Sequence, residues 1–207
     1  RHGENNYGNL AQHADAEILI NATPVGMYPQ VGVMVADPAA FPHCQGVLDL
    51  IYNPRRTAFL QAAERANIPC SDGLPMLVEQ ARAAAELFLQ CTIPDKESER
   101  ILHKLRQQTE NIVLIGMPGC GKSSIGAALA QYSGRPAIDI DAEIVRNAGC
   151  SIPDIFAQQG EAGFRQLERQ QIAQAGMQRG CILITGGGVV KDAANYAPLH
   201  QNGRIYH

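Results

Sequence analysis

Apolar residues in this chain fall into short runs that stop at glycine, proline or a polar residue, and between those runs they recur at helical spacing. Glu17-Ile18-Leu19-Ile20-Asn21 reads as a buried strand, followed by a Pro-, Gly- and Thr-containing loop from Ala22 to Pro29. Gly46-Val47-Leu48-Asp49-Leu50-Ile51 predicts a second strand, broken by Asn53-Pro54. Residues 56–66 place Phe59, Leu60 and Ala63 on one helical face, Asp72-Gly73 marks a turn, and Met76 to Leu89 forms an Ala-rich helix. Beyond residue 110 the alternation resumes. Ile112 to Ile115 is a strand, Lys122 to Tyr132 a helix, and Ala137-Ile138-Asp139 a short strand. Ser151 caps a helix through Gln158, and Glu161 to Met177 is another. Cys181 to Thr185 is a strand ending in three glycines, Asp192 to Gln201 is helical, and Arg204-Ile205-Tyr206 is strand-like. Alternating strands and helices with apolar strands predict an α/β chain with parallel sheets covered by helices.

Between the two alternating halves the pattern changes. Thr92 to Glu110 is charged and polar, with Pro94 near its start and a narrow stripe of Ile101, Leu102 and Leu105 that Ser98 would cap. The domain boundary is expected here: residues 1–91, a polar, exposed linker at 92–110, and residues 111–207. The 207-residue length accommodates one or two domains at about 100–200 residues each.

A net charge of −3 offers no basic surface for nucleic acid or an acidic membrane. No apolar run approaches the ~20 residues needed to span a bilayer, and the polar opening has no apolar signal region. The six cysteines are scattered without a CxxC pair and the six histidines without ligand spacing. Reduced thiols in a cytoplasmic protein therefore fit better than a disulfide framework or a zinc site.

The most specific motif is Gly116-Met117-Pro118-Gly119-Cys120-Gly121-Lys122-Ser123, which lies between a strand and a helix. In a GxxxxGK[ST] loop, glycines let backbone N–H groups converge on phosphate oxygens, and the helix N-terminus adds positive potential. Lys122 would reach the β- and γ-phosphates and Ser123 would ligate Mg²⁺. Asp139 and Asp141 straddle the end of the next strand, one suited to a metal-bound water and the other to a hydroxyl; a helix N-cap role for Asp141 is the alternative. Arg165 suits a carboxylate through its planar fork, with Glu168 three residues on to hold it, or the two form a solvated pair. Gly186-Gly187-Gly188 ends a strand, permitting close ligand approach or simply a flexible turn.

These four phrases, in this order, resemble the shikimate kinase family from about Asn111 to His207. The resemblance implies ATP-dependent phosphorylation of the shikimate 3-hydroxyl. Carried over, Gly119, Cys120, Gly121, Lys122, Ser123 and Ser124 bind ATP. Lys122 and Asp139 act in catalysis, and Ser123 and Asp139 serve Mg²⁺. Asp141, Arg165 and Gly187 hold shikimate. The family's arginine-bearing lid, adenine loop and last strand have no counterpart before His207, which implies weak nucleotide binding and poor turnover. Another small-molecule P-loop kinase, or a nucleotide-binding remnant without turnover, are the alternatives; the Asp139/Asp141, Arg165 and triple-glycine set speaks against the first.

The first half is less specific. Asn21 to Met27 and Asp49 to Pro54 sit at strand C-termini, where open α/β sheets place ligands; read without a relative, they are loop punctuation and core packing. Yet INATPVGM, DLIYNP followed by RT, and DGLPMLVEQA resemble the C-terminal part of shikimate dehydrogenase, over about Ala14 to Phe88. That family reduces 3-dehydroshikimate with NADPH. The resemblance implies that Leu50 and Gly73 meet the nicotinamide end through backbone, and that Tyr52 and Gln80 contact substrate. Pro75 departs from the family, which usually has Gly there. No Gly-rich dinucleotide fingerprint and no catalytic Lys–Asp pair is found here. The expected architecture is a partial Rossmann-like domain followed by a P-loop kinase domain, both truncated, and the chain is expected to be a fragment spanning the junction of a bacterial dehydrogenase–kinase fusion. Its partners are the small molecules ATP, shikimate and 3-dehydroshikimate, with Mg²⁺ and NADP(H) as cofactors.

Overall fold

The computed structural model describes residue 10 and residues 12–207. The polar opening, residues 1–9, lies outside the described residues. The chain divides into two compact units, Arg1–Lys104 and Leu105–His207.

In the first unit, β1 (Ile18–Asn21), β2 (Gly46–Asp49) and the two-residue β3 (Cys70–Ser71) form a parallel sheet in the order β1-β2-β3. Helix α1 (Ala58–Arg65) is capped by Thr57, whose hydroxyl accepts from Leu60 N, and packs Phe59, Leu60 and Ala63 onto Val47 and Leu19. Strand residues alternate faces, so Ile18 and Ile20 point away from α1. They stand 57% and 59% exposed, which corrects the reading of β1 as a buried strand: burial on one face alone keeps only Leu19 and Asn21 covered. Helix α2 (Leu74–Leu89) starts two residues earlier than its apolar pattern suggested, with Pro75 in its first turn. Proline is tolerated there because the N–H it lacks would have no intrahelical partner.

Most of the stretch read as a linker is helix α3 (Asp95–Thr109). Ser98 does not cap it. The helix begins immediately after Pro94, so Ser98 falls inside the first turns, buried, with no hydrogen-bond partner for its hydroxyl.

In the second unit, β4 (Asn111–Leu114), β5 (Ala137–Asp139), β6 (Ile182–Ile184) and β7 (Gly203–Tyr206) form a parallel sheet ordered β5-β6-β4-β7. Apart from Asn111 at the start of β4, its central strands are apolar, because both faces are covered. Val113, Ile115 and Leu183 face α5 (Ile140–Ala148), α6 (Ile152–Gly176) and α7 (Tyr196–Asn202). Leu114, Ile182 and Ile184 face α4 (Lys122–Ser133). The two helices expected at 151–158 and 161–177 run on from one another in α6 and meet at Gly160, whose φ of 68° breaks the helical path. The helix expected from Asp192 is instead a 3-10 turn, Ala193–Asn195, followed by α7; the Asp192 side chain accepts from Ala194 N and ends the preceding segment. Among the described residues no helix is long and apolar enough to cross a membrane.

Candidate active site

The glycine-rich loop leaves the C-terminal end of β4, the middle of the sheet, and turns into α4. Gly119 and Gly121 have φ of 79° and 90°, backbone that side chains rarely adopt. Lys122 follows at the helix start. Its ammonium donates to the carbonyls of Gly116 and Met117, both at 2.8 Å, and stands 3.7 Å from Cys120 Sγ. Two backbone oxygens and one thiol sulfur of the loop thus surround the ammonium, a cation folded over its own cradle. Ser123 and Ser124 are exposed at the mouth. Beside the loop, a cavity of about 720 Å³ is lined by apolar residues of β4, β7 and α4, Ile112, Leu114, Ile125 and Tyr206 among them.

The two aspartates divide labour differently from one reading of the sequence. Asp139, not Asp141, is the N-cap of α5, accepting from Asp141 N at 3.1 Å and Ala142 N at 3.2 Å through one oxygen. Its position at the last residue of β5 puts the carboxylate beyond the strand end, where it reaches the unpaired amides. Its other oxygen receives Ser123 Oγ at 3.5 Å. Asp141 is free of that duty. It is half-buried, and its Oδ1 is buried without a hydrogen-bond partner. Burial, with Asp139 and Glu168 nearby, pushes its carboxyl above the ordinary range; Lys122 and Arg165 pull the other way.

Arg165 lies one turn into the second segment of α6. It donates to Glu168 at 2.7 Å and to Glu161 at 3.3 Å, with its guanidinium 5.3 Å from the Phe164 ring. Glu168 is 1% exposed, so the pair is a braced one rather than a solvated one.

The triple glycine brings these groups together. A Cβ on Gly186 would lie 2.6 Å from Asp141 Oδ1, one on Gly187 would lie 2.5 Å from the Pro118 ring, and one on Gly188 would lie 2.5 Å from Arg165 Nη1. Each glycine therefore makes room for a different part of the site, and a flexible turn does not account for the three together. Pro118 is the member that reading by motif passed over; its only signal was its place inside the loop. The far end of the segment is tied to α6 by the ion pair of Asp192 with Arg169, 2.8 Å.

In the first unit, Leu50 and Gly73 are brought into backbone contact: Gly73 N donates to Ile51 O at 3.0 Å, and a Cβ on Gly73 would overlap the Leu50 carbonyl. Tyr52 and Gln80 are exposed, on the loop after β2 and on α2. What the sequence did not single out is the buried network behind them. Asp49 accepts from Asn21 Nδ2 at 3.0 Å, Ile51 N at 3.0 Å and Thr57 Oγ1 at 2.6 Å, locking both strand-end loops and the start of α1. The six cysteines are free. Among the described residues no group of three or more His, Cys, Asp or Glu could hold a metal ion.

Residues 118–207 match the family model described as shikimate kinase. The shikimate kinase of Synechococcus sp. (strain RCC307) is 48% identical over 101 residues, 49% of this chain and 52% of that protein. This chain spans about half the length of the curated relatives it matches. Among solved structures, shikimate kinase from Acinetobacter baumannii in complex with shikimate is 38% identical, with a TM-score of 0.47, covering 49% of this chain and 57% of that one. A chorismate mutase/shikimate 5-dehydrogenase fusion protein from Clostridium acetobutylicum is 34% identical with a TM-score of 0.46, covering 49% of this chain and 37% of that one.

Proposed function

We propose that the second unit is the nucleotide- and acceptor-binding part of a shikimate kinase, and that the first is part of a shikimate dehydrogenase fused to it, in a cytoplasmic enzyme making chorismate for aromatic amino acids. The observation that carries the kinase reading is the meeting of three groups at Gly186-Gly187-Gly188: the phosphate loop, an unpartnered carboxylate and a braced guanidinium. The family match over residues 118–207 supports it independently.

In this reading ATP lies over Gly119, Cys120, Gly121, Lys122, Ser123 and Ser124. Lys122 leaves the carbonyls of Gly116 and Met117 for the β- and γ-phosphates, exchanging neutral acceptors for charged ones. Ser123 and Asp139 offer two hard oxygen donors 3.5 Å apart, a set that fits Mg²⁺ completed by phosphate and water. When bound, that ion neutralises charge on the transferring phosphoryl group. Arg165 takes the shikimate carboxylate through its fork, with Glu168 and Glu161 fixing its plane. Asp141 Oδ1, lacking a donor, accepts the ring hydroxyl that attacks phosphorus, and Gly187 lines the ring through backbone.

For the first unit the support is the resemblance in three stretches and the strand-end placement of Leu50 and Gly73. These would face the nicotinamide of NADP(H), with Tyr52 and Gln80 toward 3-dehydroshikimate. These residues would hold one side of such a site.

Titration calorimetry tests the kinase reading. MgATP and shikimate should both bind, and Lys122→Ala should weaken MgATP by about 10- to 150-fold, the worth of a charged hydrogen bond. Absence of shikimate binding, or unchanged nucleotide affinity in the variant, would remove it. For the first unit, saturation-transfer NMR with NADPH and with 3-dehydroshikimate should show contact for at least one.

A further inference from the structure

Asn195 is 1% exposed and ends the 3-10 turn Ala193–Asn195, where the chain runs straight into α7. Its backbone is helical, with φ of −72° and ψ of −23°, so its side chain does not cap α7 as an asparagine in extended backbone would. Instead Nδ2 turns back and donates to Val189 O at 3.1 Å, while Oδ1 is buried without a hydrogen-bond partner. Val189 follows directly on Gly186-Gly187-Gly188. Val189 N donates to Gly186 O at 3.3 Å and Lys191 N to Gly188 O at 3.0 Å, so the turn that Asn195 ties includes both outer glycines. At the other end of the run, Thr185, 3% exposed, donates to Leu114 O through N at 3.1 Å and through Oγ1 at 2.9 Å. The three glycines are therefore held between two anchors, one on β4 and one at the start of α7.

We propose that Asn195 is a positioning residue for the acceptor: it fixes the backbone of Gly186 and Gly188 against Asp141 and Arg165, acting through the glycines rather than on the acceptor itself. The proposal rests on the functional reading above. Glycine loses more conformational freedom on ordering than any other residue, so three in a row need anchors to hold one shape. The Val189 side chain lies in the main apolar cluster of the second unit, which fixes where the residue sits. Apolar packing is non-directional and does not set the tilt of the peptide plane. The Asn195 amide, directed at the carbonyl, sets it. A segment already in shape loses less freedom when a ligand arrives, which is preorganisation. The same side chain offers the fold little by comparison. Val189 O also accepts from Asp192 N at 3.4 Å, and the buried Oδ1 without a donor is unfavourable.

The test uses the full chain. Calorimetry gives the dissociation constants of shikimate and, in a separate titration, of MgADP; thermal melts followed by circular dichroism give stability. Asn195→Leu keeps the approximate volume and removes both the donor and the unpartnered oxygen. It should weaken shikimate by about 3- to 10-fold, the equivalent of one ordinary hydrogen bond. MgADP should bind as it does to the native chain, and the melting temperature should stay at or above the native value. Asn195→Ala also lacks the donor and suits helical backbone. It should show the same selective loss of shikimate, even where the cavity it leaves lowers the melting temperature. A merely structural role predicts that both ligands weaken in parallel. If shikimate binds both variants as tightly as the native chain, or shikimate and MgADP affinity fall together, or neither variant folds, the positioning role is overturned while the functional reading stands. If the native chain binds no shikimate, that reading falls and the proposal with it.

Discussion

Asp141 carries the least settled charge in the site. Its Oδ1 is buried and unpartnered, and its carboxyl is held above the ordinary range by burial first and by Asp139 and Glu168 next. The folded chain therefore binds this proton more tightly than the unfolded chain does. The resulting stability is full below the ordinary carboxylate value of about 4 and is lost as pH rises through the higher folded value. Asp141→Asn removes that loss. At pH 7 it should stabilise the fold by on the order of 1 kcal/mol, at the low end of unsatisfied buried groups because Asp141 is partly solvated. Thermal melts from pH 4 to 8 check this; an unchanged or lowered melting temperature at pH 7 contradicts it. The same variant should lose shikimate affinity, a trade of binding against stability common at functional sites. Arg165 makes the opposite case, since its charge is already braced by Glu168 and Glu161. Arg165→Ala should weaken shikimate by about 2–5 kcal/mol, the cost of truncating a buried charged pair, while MgATP affinity moves far less. Equal losses for both ligands would make Arg165 a structural residue.

Helices and strands are held here by a few exact fits at their junctions. Ser151 and Asp154 form a reciprocal capping box that starts α6, and Asp139 starts α5 while facing Ser123. The tightest junction is between β2 and α2. Gly73 lies against the Leu50 carbonyl so closely that any side chain must displace backbone, which cannot yield as a side chain can. Gly73→Ala should therefore destabilise the first unit by about 1–3 kcal/mol, the usual cost of overpacking. Urea denaturation followed by the far-ultraviolet signal measures it, and a loss under about 0.5 kcal/mol, the level of an ordinary surface change, would show that the junction relaxes. Helix α6 shows the opposite use of glycine: Gly160 interrupts the helix one turn before Arg165, and the second segment can aim Arg165 and Glu168 inward independently of the first.

Each unit of the chain has its own parallel sheet, with one apolar cluster in the first unit and two, one on each face of the sheet, in the second. The segment between α2 and α3, Gln90 to Pro94, is exposed apart from Ile93 and lies outside both helices. Exposed backbone without regular hydrogen bonds is where proteases act first, whereas helix α3 protects residues 95–109. Limited proteolysis with mass spectrometry should give an early, resistant product beginning between Cys91 and Asp95 and running to the C-terminus. The long exposed loop between β1 and β2 should yield further cuts within the first unit. A resistant product made of residues 1–91 would instead make the first unit the better folded one. The exposed Ile18 and Ile20 on β1 favour the second unit, since an apolar strand edge invites association rather than stability.

Much of this molecule is readable from local rules. Strand–glycine–lysine–helix spelled the phosphate loop because its geometry is set within eight consecutive residues, and the parallel sheets followed from alternation of strand and helix. The order Asp139/Asp141, Arg165, triple glycine was legible as a set of phrases. Their roles were not, since each phrase alone had an ordinary structural meaning. Which aspartate caps α5 depends on where β5 ends to within one residue, and that boundary is fixed by pairing with β6, not by local preference. Whether Arg165 and Glu168 form a solvated pair or a buried brace depends on α6 packing against the sheet. The exposure of Ile18 and Ile20 depends on which face of β1 a helix covers. Above all, the meeting of Pro118 with Gly187, 69 positions apart in the chain, exists only because β4 and β6 lie side by side and end together. Short-range chemistry is written in neighbouring residues; contacts across a sheet arise from the register of strands far apart in sequence, which no local pattern records.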